Sequence, residues 1–241
     1  MKKKLYSAIL ASIMVIGSIC GVAIPVYAKE ETKIIDGNDS YDTATYLDVN
    51  GSYSDVLSDS NDVDFYKLIP DSNGKLSINF GHVYGESSHG WKVIIYKYQD
   101  GEYIELSDTV IKLEDSEKVE LPFVGVQYGC EYYIKVQNYN WDAVNKVYTI
   151  KTTFIRSEQY EREENDSYTK ATEMKLNSSY TGTLNNNNDI DIYRINATGN
   201  GKIELTFEHV YTDDSHGWDI IIYRYTNGEY QELSNDRVTL K

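Results

Sequence analysis

Cysteine is almost absent from the 241 residues: there are two, Cys20 and Cys130. Proline appears three times, which excludes collagen-like and proline-rich architectures. Positive charge is scarce, with 23 Lys and Arg against 38 Asp and Glu and a net formal charge of −15. That balance argues against a nucleic-acid groove or an anionic membrane surface as partner, since both attract Lys and Arg. Large apolar residues are not scarce. The chain is 41% hydrophobic and 13% aromatic, the composition of a globular protein rather than a disordered one. Tyrosine dominates the aromatics, with 23 copies against 5 Phe and 3 Trp.

The N-terminus reads as an address. Lys2, Lys3 and Lys4 precede an apolar stretch from about Ala8 to Ile24, and Val26-Tyr27-Ala28 has the small-x-small form of a cleavage site. The stretch is short and glycine-broken for an anchor helix, so residues 1–28 are expected to be a signal peptide. The expected location is extracellular, with no membrane insertion after cleavage. Cys20 would leave with the leader. Cys130, a half-buried strand residue on this reading, would have no disulfide partner. Stability would then rest on a packed core or a bound metal.

The chain repeats itself. Asn38-Asp39-Ser40-Tyr41 recurs as Asn165-Asp166-Ser167-Tyr168, 127 positions later. The same offset carries Asp62-Val63-Asp64-Phe65-Tyr66 onto Asp189-Ile190-Asp191-Ile192-Tyr193, and Ser88-His89-Gly90-Trp91 onto Ser215-His216-Gly217-Trp218. A period this long indicates a duplicated domain rather than a solenoid. The expected organisation is a first copy over residues 29–156 and a second, incomplete copy over 157–241. The second has no counterpart of Val119 to Phe154. Such a copy either belongs to a longer protein or lacks its last strands, and strand exchange with another chain is then possible.

The first copy reads as all-β. Val63 to Leu68 half-alternates and ends at the turn Pro70-Asp71-Ser72-Asn73-Gly74. Leu76, Ile78 and Phe80 alternate, and Trp91 to Tyr98 is rich in β-branched and aromatic residues before a hairpin turn at Gln99-Asp100-Gly101. Val119 to Leu121, Tyr132 to Val136 and Val147 to Phe154 continue the series. One short helix is expected around Ser40 to Tyr46, capped by Asp39 or Ser40. Short strands joined by tight turns point to a β-sandwich or barrel.

In their order these pieces resemble the bacterial pre-peptidase C-terminal domain family, which is similar to the collagen-binding domains of secreted clostridial collagenases. The pieces are Asn38-Asp39-Ser40 with Ala44, Asp62-Val63-Asp64-Phe65-Tyr66, and Gly129-Cys130-Glu131-Tyr132-Tyr133-Ile134-Lys135-Val136. The resemblance implies an all-β, jelly-roll-like β-sandwich, here duplicated in tandem with the second copy C-terminally truncated. It also implies a non-catalytic accessory module attached to a secreted peptidase, with calcium held between the linker and the sandwich. The implied ligands in the second copy are Glu161, Glu163, Asn165, Asp166, Thr183 and Asp191, with Asn188 or Asp189 beside them. In the first copy Asp36, Asn38, Asp39, Asn61 and Asp64 remain, while Ile34 and Val56 replace a glutamate and the hydroxyl.

The chemistry of those side chains agrees. Calcium takes six to eight hard oxygen ligands. Glu161, Glu163, Asp166 and Asp191 offer up to four negative charges, a cluster that repels itself without a cation. Solvated linker charge is the plainer reading of the same acids.

All four histidines lie in a repeated element: His82 and His89, then His209 and His216. Two imidazoles begin a metal site but do not complete one, with Glu86, Asp213 and Asp214 as further candidates. The alternative is a loop packed on Trp91 or Trp218, its histidines bonding backbone. Tyr139 and Trp141 are the candidate contacts for an extracellular protein or polysaccharide polymer, because flat aromatic faces with a polar edge suit such surfaces. In the collagen-binding relatives two outward tyrosines stand where this chain has Gln137 and Tyr139. No metalloprotease, nucleophile-elbow or phosphate-loop motif is present. The favoured reading is a calcium-binding, polymer-binding or peptidase-associated module, not an enzyme. A carbohydrate-binding β-sandwich is the alternative, and a hydrolase built on the histidine element is a third.

Overall fold

A computed structural model describes residues 37–186, 188–211 and 216–240. The expected signal peptide, Ile34, Asp36, Asp213 and Asp214 lie outside the described residues. The described chain forms fourteen strands and a single 3-10 turn, Tyr41–Thr43. They fall into two compact units, one up to Ile195 and one from Asn196.

The first unit contains a β-sandwich. One five-stranded sheet has the order β1 (Thr45–Tyr46), β3 (Val63–Leu68), β9 (Glu131–Tyr139), β5 (Gly90–Gln99) and β6 (Glu102–Lys112). The other runs β2 (Ser52–Val56), β10 (Val147–Arg156), β4 (Gly74–His82) and β7 (Lys118–Glu120), with β8 (Val124–Val126) also paired to β4. All these pairings are antiparallel except β1 with β3. The period-two pattern explains the layers. Leu76, Ile78 and Phe80 of β4 turn inward and meet Trp91, Val93 and Ile95 of β5 in one core. Phe80 and Trp91, from opposite sheets, have ring centroids 5.5 Å apart. Truncating a buried aromatic of this kind costs about 3–5 kcal/mol.

The β5–β6 hairpin closes through Asp100 at φ 55° and Gly101 at φ 90°, the left-handed pair that a two-residue turn requires. The helix expected over Ser40 to Tyr46 is shorter than that. Only Tyr41–Thr43 winds, because Thr45 and Tyr46 are taken up by pairing with Tyr66 and Lys67 of β3. Ser40 precedes the turn, and its N–H donates to Thr43 Oγ1 at 3.1 Å. Cys130 is half-buried as expected, but it sits in the turn before β9 rather than in the strand.

Beyond the sandwich, β11 (Thr172–Met174) and β12 (Tyr193–Ile195) form a parallel pair. The unit from Asn196 carries an antiparallel hairpin of β13 (Gly217–Thr226) and β14 (Glu229–Thr239). These bounds are those of β5 and β6 moved by the sequence offset. The β-bulge moves with them, from Ile95/Tyr96 to Ile222/Tyr223. Among the described residues no helix is long and apolar enough to cross a membrane.

Candidate metal centre

The segment that leaves β10 is strapped onto the sandwich behind it. Lys97 of β5, almost wholly buried, donates from Nζ to the backbone carbonyl of Glu163 at 2.9 Å and to Gln127 Oε1 at 2.8 Å. Burial holds this lysine below its ordinary pKa. Gly125 of β8 lies directly under the Glu161 backbone, and any side chain there would collide with the Glu161 carbonyl. A bridge from Tyr160 to Thr181 and the bond from Glu161 N–H to the Thr181 carbonyl at 2.9 Å fix the strap on its other side.

This path turns the side chains of Glu161 and Glu163 inward together, since alternate residues share a face. Both are buried, with Asn165 beside them. Carboxylate oxygens of Glu161, Glu163 and Asp191 lie within 4.8 Å of one another. Glu161 Oε1 accepts from the Thr183 N–H at 2.5 Å, and Oε2 accepts from the Tyr193 hydroxyl at 3.2 Å. Glu163 Oε1 accepts from Asn185 Nδ2 at 2.8 Å. Thr183 Oγ1 lies 2.9 Å from the Tyr160 hydroxyl. Asp189 accepts from the Asn185 N–H, and Asp166 Oδ1 accepts from the Ile190 N–H at 3.3 Å.

Electrostatically the cluster is frustrated. Burial, then the neighbouring carboxylates, push Glu163 up to about 8 and Asp189 up to about 6. Burial and Asp191 raise Glu161, and burial raises Asp191. Three buried oxygens, Asn165 Oδ1, Asn185 Oδ1 and Asp191 Oδ1, have no hydrogen-bond partner. Buried acceptors of this kind are uncommon and costly. An all-oxygen set of carboxylates, amide carbonyls and a hydroxyl fits a hard divalent cation, calcium above the softer metals that favour nitrogen or sulfur.

The expected second-copy residues are thus gathered unequally. Glu161, Glu163, Asn165, Thr183 and Asp191 converge. Asp166 and Asn188 are exposed, but both line an open pocket with Glu163, Glu164, Asn186 and Asp189. Of the pair left open, Asp189 is the one whose charge bears on Glu163. Asn185 and Tyr193 were not among the expected residues. The signal for Tyr193 was its place at the end of the repeated Asp-x-Asp-x-Tyr run. Asn185 had none, since its counterpart at the sequence offset is Ser58.

The first copy is built differently. Asn38 is buried and gives its side-chain amide to the Phe65 carbonyl at 3.3 Å. Asp39 is exposed, and Asn61 uses its backbone N–H on Asp59. Asp64 is buried, and burial lifts it to about 7; its Oδ2 accepts from the Tyr148 hydroxyl at 2.5 Å. Tyr148 lies 2.6 Å from the Tyr66 hydroxyl, which donates to Asp55 Oδ2 at 3.0 Å. Asp55 stands where the second copy has Gly182, and Ile34 stands where it has Glu161. The tyrosine that bonds the linker carboxylate in the second copy therefore bonds a strand carboxylate in the first.

At the opposite end of the sandwich lie the loops 83–89 and 140–146. His82 Nδ1 is 2.9 Å from the Val83 carbonyl, and its ring packs on Trp91. His89 Nδ1 lies 3.4 Å from Asp142, which also accepts from the Ser87 hydroxyl. Here one histidine bonds backbone and the other a carboxylate. Tyr139 is half-buried against His89. Trp141 is 75% exposed and Tyr84 is 60% exposed.

Comparison with known proteins is sparse. No family model matches the chain, and no curated protein does. Among solved structures it is similar to the pre-peptidase C-terminal domain of a collagenase from Bacillus anthracis. That match has 17% sequence identity and a TM-score of 0.36, and covers 46% of this chain and 94% of the other.

Proposed function

We propose that the chain is an exported, non-catalytic β-sandwich module that binds calcium through the strap that opens its second copy and serves as an accessory to a secreted peptidase or an extracellular polymer. The observation that carries the reading is the convergence of Glu161, Glu163 and Asp191, two of them buried, beside unpartnered amide oxygens of Asn165 and Asn185. Bound there, calcium would supply the positive charge that the carboxylates lack and would hold strap and sandwich together. The sequence resemblance to pre-peptidase C-terminal domains supports the accessory role. Trp141 and Tyr84 supply the exposed aromatic surface, at the end of the sandwich away from the strap.

Two experiments test the reading. A melt of the purified chain with calcium and with chelator is expected to show stabilisation of about 2.7 kcal/mol at a hundred times the dissociation constant. Pull-down on insoluble collagen, cellulose and peptidoglycan is expected to retain the chain on one of them and lose it in Trp141→Ala. Retention on none counts against polymer binding, and retention on cellulose or peptidoglycan favours the carbohydrate-binding alternative.

A further inference from the structure

The residues that converge on the candidate metal centre all lie beyond β10, yet part of what holds them in place lies before it. The first sandwich meets the strap at several points. The Asn73 carbonyl accepts from the Ser157 N–H at 3.0 Å, and the Asn73 side chain donates to Glu158. Lys75 sets its ammonium over the Phe123 ring, with the Tyr160 ring 6.0 Å away. Gly125 leaves room for the Glu161 carbonyl, and Lys97 donates to the Glu163 carbonyl.

The Lys97 contact differs from the others. It is made by a charged group only 2% exposed, whose two acceptors, Gln127 Oε1 and the Glu163 carbonyl, are neutral amide oxygens. A buried ammonium without a paired carboxylate is costly, and an apolar side chain of the same length would pack there at lower cost. Gln127 is itself anchored: its N–H donates to the hydroxyl of Tyr132 at 2.9 Å, and Tyr132 is wholly buried. The ammonium therefore joins a fixed point of the sandwich to the backbone of a residue whose carboxylate stands in the cluster with Glu161 and Asp191.

We propose that Lys97 is a positioning residue for the calcium centre: by holding the Glu163 carbonyl against the first sandwich, it sets where the Glu163 carboxylate stands and so how tightly the ion is held. The inference rests on the calcium reading and adds that affinity is set from the sandwich side, by a residue that is not a ligand. Such coupling is reciprocal. If the sandwich seats the strap for calcium, calcium steadies the sandwich where Lys97 and Gln127 meet the strap. Charge alone predicts the opposite effect on affinity. Lys97 feels the charges of Glu163 and Glu164. Removing a cation beside an acidic site strengthens cation binding, whereas unseating a ligand weakens it.

The test titrates calcium by calorimetry into the whole chain and into Lys97→Met, and follows amide exchange with and without the ion. Binding by Lys97→Met is expected to be about tenfold to a hundredfold weaker. In the unaltered chain calcium is expected to slow exchange of the Gln127 amide about tenfold, and at saturation in Lys97→Met to leave it unchanged. Equal or tighter binding by Lys97→Met overturns the proposal and leaves the calcium reading standing. So does calcium binding to the unaltered chain with no change at Gln127, a result that needs no variant to fold. No binding to the unaltered chain overturns both.

Discussion

Gly182 lies against Glu161: a side-chain carbon at Gly182 would collide with Glu161 Oε2 and the Tyr193 hydroxyl, and would stand 3.1 Å from Asp191 Oδ2. The glycine is the space into which the strap's carboxylate reaches. The first copy inverts the arrangement, with Asp55 at the equivalent of Gly182 and Ile34 at the equivalent of Glu161. A carboxylate reaches the same tyrosine from the strand or from the strap.

The Gly182→Ala substitution is therefore expected to displace Glu161 and abolish the calcium-induced rise in melting temperature. Overpacking of this sort costs about 1–3 kcal/mol. A melt of the variant with and without calcium checks it, and an undiminished rise contradicts the role given to Glu161.

Neutralising the cluster is expected to act in opposite directions on the two states. In Asp191→Asn the metal-free protein loses a like charge beside the buried Glu161, so its melting temperature is expected to rise or hold. The calcium response is expected to fall by tenfold or more in affinity, on the order of 1.4 kcal/mol. Equal destabilisation with and without calcium would mean the aspartate is structural only.

The pH dependence follows from the raised carboxylates. Glu163 stands at about 8 in the folded protein against 4.5 for the free side chain, so the folded state holds the proton more tightly than the unfolded one. Without metal, its contribution to stability is full below about pH 4.5 and is lost as pH rises to about 8. Calcium needs the deprotonated form, so its stabilising effect is expected to grow over the same window. Melts at several pH values, with calcium and with chelator, read both slopes.

The buried chain Asp55, Tyr66, Tyr148 and Asp64 ties the two sheets of the first sandwich together. Tyr148→Phe leaves Asp64 without that donor and is expected to cost about 1–3 kcal/mol. The loss is expected to be the same with and without calcium, because hydroxyls here close the contacts that the strap's site leaves open. Chemical denaturation in both conditions measures it.

The strands were legible where alternation and turn chemistry agree. β4 and the β5–β6 hairpin are examples, with Asp100-Gly101 marking the turn. β2 was not, because Ser52-Tyr53-Ser54-Asp55-Val56 has no apolar period and is a strand through its pairing with β10. β8 has three residues, too few for any pattern. At the site, Glu161, Glu163 and Asp191, the acids that the structure brings together, were already among those the resemblance implied. The exchange of Glu161 and Gly182 for Ile34 and Asp55 could not be read there. A strap residue and a strand residue trade places only in three dimensions, and Asp55 looked like one acid among many. The Lys97 contact with the Glu163 carbonyl was hidden for the same reason: a lysine in a strand normally reads as solvated surface.

Calorimetric titration of calcium into the whole chain tests the central claim most directly. One ion per chain is expected, with binding lost in a Glu161→Gln, Asp191→Asn protein whose first sandwich still melts cooperatively. No heat and no stabilisation in the unaltered, folded chain, or an isotherm that the double substitution leaves unchanged, would contradict the account.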